Sequence, residues 1–199
     1  QIVATDTPSP TGGTPSLVVL RAESSATPCV DERPALRFIP ALDGSLVEVV
    51  HSAQTPVACV AAAYDYVQLI GKTPVLVRES AGVEGAGEGY VARLGRAAGA
   101  EAGLLRQQGA SDALIENASV QTGLVHGPLS LAERFGVALP PAAPGAAAAQ
   151  ATPEVREIQD RILFTIALTA ARCLETGAIG SVREANIASI LGVGFPRWT

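Results

Sequence analysis

From Tyr90 onward the 199-residue chain contains no clear run that alternates apolar and polar residues, whereas short alternating and β-branched runs fill the part before residue 80. This change of period constrains the fold more than any composition figure. A pattern of period 2 buries one face of a strand, and a pattern of period 3.6 buries one stripe of a helix. The change falls in LVRESAGVEGAGEGY, where Gly82, Gly85, Gly87 and Gly89 crowd together.

Upstream, SLVVLRAE (16–23) is bounded by Pro/Gly/Thr residues and by SSATP, and reads as a strand. ALRFIPA and SLVEVVHS read as two more, separated by the turn residues Asp43 and Gly44. Thr55 and Pro56 supply an N-cap and first helical position for PVACVAAAYDYVQLIGK. Its apolar face is marked by Val57, Val60, Ala61, Tyr64, Val67 and Leu69, and Gly71 closes it. TPVLVRES returns as a strand, so strand, strand, helix, strand forms the tail of an α/β sheet. Downstream, helices are predicted over 89–107, about 111–122, 153–176 and 181–191.

The helical part repeats itself. Arg93, Gly109, Ala110, Glu116 and Pro128 recur as Arg161, Gly177, Ala178, Glu184 and Pro196, each 68 residues on, which predicts a duplicated helical hairpin. PPAAPGAAAAQATP between the copies is uncharged and of low complexity, as in a linker. The predicted organisation is a partial α/β region over 1–81, a Gly-rich joint over 82–89, a first helical repeat over 90–139, a linker over 140–153 and a second repeat over 154–199.

Composition narrows the function classes. The chain is 48% hydrophobic but only 4% aromatic and 17% charged, so its apolar content is mostly Ala, Val and Leu. A net charge of −5 without a basic stripe disfavours a nucleic-acid partner, since phosphate binding needs clustered Lys and Arg. The longest apolar runs fall short of the ~20 residues that span a bilayer, and the N-terminus lacks a basic segment followed by an apolar one. No membrane span and a cytoplasmic location are expected. Cys29, Cys59 and Cys173 are odd in number and widely spaced, which favours buried free thiols over a disulfide framework or a zinc site.

Few residues offer chemistry. The glycine run has the spacing G-x-x-G-x-G-x-G rather than G-x-G-x-x-G, no Lys follows it, and Glu84 and Glu88 would repel phosphate, so it reads as a joint. There is no G-x-S-x-G elbow. Glu48 shares a strand face with Leu46 and Val50; that face either meets solvent at a sheet edge, which the spacing favours, or holds a half-buried carboxylate able to orient a base. His51 is three residues further on and so on the opposite face, and His126 is the one other histidine. Arg156, Arg161, Arg172 and Arg183 scatter as on a solvated helix face.

Longer motifs carry a resemblance. RFIPALDGSLVEVV, then a helix, then KTPVLVRESAG is similar to the close of the nucleotide domain in the 3-hydroxyacyl-CoA dehydrogenase family, whose pattern is HFFxP, LVE and KTPVVVxDxxGFxxNR. CLETGAIGSVREANIASILGVGFPRWT resembles the C-terminal helical repeat of the multifunctional fatty-acid β-oxidation proteins, and ALIENASVQTGLVHGPLSL resembles their first repeat. The similarity covers about residues 35–199, and ANIASILGVGFPRWT is its most specific part.

The resemblance implies the end of a doubly wound NAD-type sheet followed by an all-α domain of duplicated hairpins, similar to the C-terminal domain of 6-phosphogluconate dehydrogenase. That domain would dimerise and help bind acyl-CoA. The implied reaction is hydride transfer from a 3-hydroxyacyl-CoA to NAD, with a His base held by a Glu. Glu48 matches that carboxylate, but Leu36 stands where the family has its His, and Ala86 where it has the Asn of GFxxNR. The first strand, its G-x-G-x-x-G turn and the ribose acid have no counterpart here, so NAD is implied by resemblance alone and its complete site is not in this chain. The expectation is therefore a truncated or catalytically impaired member, a pseudoenzyme that retains the association and acyl-CoA side. The alternatives are an active dehydrogenase whose site is completed by another chain or missing sequence, and a non-catalytic dimerisation module. Expected partners are a second copy or a larger β-oxidation assembly. The ending at Trp198-Thr199, in mid-motif, suggests a piece of a longer polypeptide.

Overall fold

The computed structural model describes residues 2–3, 21–22, 36–42, 44–79, 88–141 and 153–198. The chain divides into two compact units, Gln1–Tyr90 with Cys173–Gly192 and Val91–Arg172 with Val193–Thr199. In the first, β1 (Ile2–Val3) pairs antiparallel with β2 (Arg21–Ala22). The rest of the strand expected over 16–23 lies outside the described residues, as do residues 80–87 of the glycine run and 142–152 of the linker.

A three-stranded mixed sheet follows. β3 (Leu36–Pro40) is antiparallel to β4 (Leu46–His51), and β5 (Thr73–Arg78) lies parallel to β4 on its other side. The parallel pair requires a crossover, supplied by α1 (Val57–Leu69). One sheet face packs Leu36, Phe38, Val47 and Val49 against Ala63 and Val67 of α1. Phe38 and Tyr66 meet edge to face at 6.3 Å between ring centroids.

Two expectations for α1 need correction. Its N-cap is Pro56 rather than Thr55, because the Thr55 hydroxyl is used within the preceding turn, where it accepts from Ser52 N at 3.1 Å. Its packed stripe runs through Val60, Ala63 and Val67 at spacing i, i+3, i+7, leaving Val57 and Leu69 more than four-fifths exposed. In a helix so rich in alanine several stripes are apolar, and pattern alone does not choose among them.

The second unit is helical: α2 (Tyr90–Gln107, from Val91 on), α3 (Asp112–Gln121), α4 (Pro128–Arg134) and the first part of α5 (Val155–Glu175). Leu94, Ala98, Ala102 and Leu105 of α2 and Ile158, Ile162 and Ile166 of α5 repeat every three to four residues and are buried. Gly99 lets α2 approach α4 closely, since a Cβ there would lie 2.9 Å from Ala132 Cα. Arg161, expected on a solvated face, instead ties α5 to α2 by donating to Glu101 at 2.6 Å and Gln108 at 2.5 Å. No helix among the described residues is long and apolar enough to cross a membrane.

The two long helices end alike where the sequence repeats. Gly109 and Gly177 both adopt positive φ, and the following Ala110 and Ala178 donate back to Leu105 and Cys173, each closing a long helix in the left-handed manner that favours glycine. The offset of 68 then fails. The next N-caps, Ser111 and Ser181, are 70 residues apart. Glu184 therefore sits three residues after its cap, its N–H donating to Ser181 Oγ and its carboxylate accepting from that hydroxyl, whereas Glu116 reaches forward to α4. The second copy continues from α6 (Val182–Ala188) into a π turn (Ser189–Val193), and the glycines that follow, Gly123 and Gly194, are 71 apart. The π turn absorbs one further residue. Helix α4, where the sequence suggests only a Gly/Pro exit, begins with Pro128 at its first position and has no counterpart at Pro196.

Glu116 Oε1 accepts from Leu129 N at 2.7 Å and Ser130 N at 3.1 Å, satisfying two exposed donors of α4. Replacing it by Ala is expected to cost about 1–2 kcal/mol, read as a lower urea midpoint with unchanged slope. An unchanged midpoint would show that the cap contributes nothing.

Candidate functional site

Glu48 lies mid-way along β4, between Ile39 of β3 and Val75 of β5. Because β4 is the central strand, the face expected at a solvent edge is covered, and Glu48 is 1% exposed. Gly89 packs against it so closely that a Cβ there would stand 1.8 Å from Glu48 Oε2. The next residue, Tyr90, is fully buried, with its hydroxyl 2.9 Å from Ser189 Oγ and 3.2 Å from Ala185 O. Ser189 in turn donates to Ala185 O at 2.8 Å. Burial pushes the Tyr90 phenol up to about 12, its hydrogen bond with Ser189 opposing the rise and Cys173 and Glu48 adding to it.

The ladder separates the other expected residues from Glu48. Leu36 pairs with His51, and His51 is three positions from Glu48, so Leu36 and His51 share one sheet face and Glu48 projects from the other. Leu36 packs in the α1 core. His126 belongs to the second unit, and Ala86 lies outside the described residues.

The sequence reading missed a cleft at the carboxyl ends of β4 and β5. His51 and Arg78 are register partners in those parallel strands. Beyond them the chain returns: Arg78 N donates to Ala178 O at 2.8 Å, and Ile179 bridges Val77. With the first turn of α1 these segments enclose about 490 Å³, with Val60, Leu76 and Ile179 as apolar wall and His51, Arg78 and Glu184 as charged or titratable groups. The signal lay in VVHS and LVRE, two parallel strands that each end on a basic or titratable residue, where open α/β sheets place their ligands.

Cys59 is disulfide-bonded, against expectation, while Cys173 is a buried thiol outside any disulfide, as expected; Cys29 lies outside the described residues. An odd count permits one bridge and one spare thiol, which spacing alone does not reveal. Among the described residues no three His, Cys, Asp or Glu side chains are grouped to hold a metal ion. No protein-family model matches the chain, and no curated protein matches it.

Gly89→Ala is expected to lose about 1–3 kcal/mol of stability, because the new methyl must displace a carboxyl group that has no route to solvent. Pairing it with Glu48→Ala should lose less than the sum of the two single changes, and strict additivity in a double-mutant cycle would show that the close approach is unimportant. Tyr90 sets an alkaline limit. Its folded value lies above the ordinary tyrosine value of 10.0, so its contribution is complete below pH 10 and is lost as pH rises through about 12. The denaturation midpoint should fall across that window, and Tyr90→Phe should flatten the fall.

Proposed function

We propose that this chain is a catalytically impaired relative of the 3-hydroxyacyl-CoA dehydrogenases of fatty-acid β-oxidation, keeping the helical association and acyl-CoA side while lacking the hydride-transfer site. The observation that carries the reading is the surroundings of Glu48. It is the carboxylate the resemblance singles out, it is buried, and position 36, where the resemblance places the base, holds a leucine. Leucine takes no proton, and loss of a general base alone removes ~10²- to 10⁴-fold of rate. The order β3, β4, α1, β5, followed by helical hairpins with matching glycine ends, agrees with the family pattern. Association with a second copy or a larger assembly would use an apolar helix surface, and Phe164 and Leu168, one turn apart on α5, are 64% and 58% exposed.

Calorimetric titration of the purified chain should give binding of acetoacetyl-CoA and none of NADH. Binding of both would sink the impaired-enzyme reading in favour of a site completed elsewhere. Binding of neither would leave a dimerisation module.

A further inference from the structure

We infer that the cleft at the carboxyl ends of β4 and β5 is a site for a small zwitterion with an aliphatic tail, of the chemistry of a branched-chain α-amino acid. The inference is independent of the acyl-CoA reading and uses residues of the first unit alone.

Opposite charges line this cleft without meeting. The Arg78 guanidinium makes no hydrogen bond or ion pair with any described residue, although its backbone is fixed between His51 and Ala178. Glu184 lines the same cleft, and its Oε2 accepts one hydrogen bond, from Ser181 Oγ at 3.1 Å, which holds the carboxylate in place as part of a helix cap. Arg78 and Glu184 form no salt bridge with each other. An anion entering alone would be repelled by Glu184, and a cation alone by Arg78. A ligand carrying both charges on neighbouring atoms satisfies each.

The geometry assigns the two ends. The carboxylate of the ligand belongs beside Arg78, whose planar fork suits bidentate pairing. The first turn of α1 adds to this, since Val57 lines the cleft and no side chain caps the helix there. The ammonium belongs beside Glu184. Between them, Val60, Leu76 and Ile179 form an apolar wall that takes an aliphatic side chain rather than a polar one. The enclosed space of about 490 Å³ lies in the lower part of the range for small-ligand pockets, ~300–1,000 Å³.

The test compares three probes that differ in one charge each: L-leucine, 4-methylpentanoate, which lacks the ammonium, and 3-methylbutylamine, which lacks the carboxylate. Titrations followed by heteronuclear NMR should show saturable shifts with L-leucine centred on His51, Arg78 and Ile179, and binding weaker by at least about tenfold for either single-charge probe. Arg78→Gln and Glu184→Gln should each weaken L-leucine by a similar factor. Glutamine keeps the capping hydrogen bond of residue 184, and an unchanged thermal midpoint in each variant confirms that folding is retained. Absence of saturable L-leucine binding at millimolar concentration, 4-methylpentanoate binding as well as L-leucine, or full affinity in Arg78→Gln would overturn the assignment.

Discussion

The close fit of Gly89 against Glu48 holds the first unit together. A carboxyl group buried in the middle of a sheet is costly unless its surroundings are fixed, and here they are fixed by backbone rather than by a movable side chain. Pinning Gly89 pins Tyr90, whose hydroxyl reaches Ala185 and Ser189 at the far end of the sequence. The same returning segment then bonds to β5 through Ala178 and Ile179. The sheet, residues 88–90 and the α6 region thus form one closed circuit. Closing it brings together residues about a hundred positions apart, an entropic cost that grows only slowly with loop length.

That arrangement also accounts for the two polar regions of the first unit. On one sheet face Glu48 is enclosed and inaccessible; on the other, at the strand ends, His51 and Arg78 look into open space. A half-open cleft with separated charges fits a binding surface.

Much of this was legible in the residues. LRFIP, LVEVVH and TPVLVR announce three strands, and glycines at 71, 109 and 177 mark helix ends where the structure has positive φ. What was not legible depended on neighbours distant in sequence. Glu48 reads as an edge residue until β3 and β5 are placed on both sides of its strand. The alanine-rich α1 offers several apolar stripes, and the sheet selects among them. Thr55 looks like a cap because Pro56 follows it, but Ser52 reaches its hydroxyl first. Helix α4 is short and follows a Gly-Pro pair that also suits a loop. The cleft needed the parallel register of β4 and β5 and the return of residues 177–180, none of which is local.

The π turn at Ser189–Val193 has a consequence for the path of the chain beyond it. An extra residue in a regular helix rotates everything beyond it by about 100° and would turn the outgoing chain away from its partners. Widening one turn confines that error to five residues, so an insertion becomes a local event that selection can tolerate. The turn opens at Ser189, the residue that engages Tyr90, so the widened segment is also an attachment point.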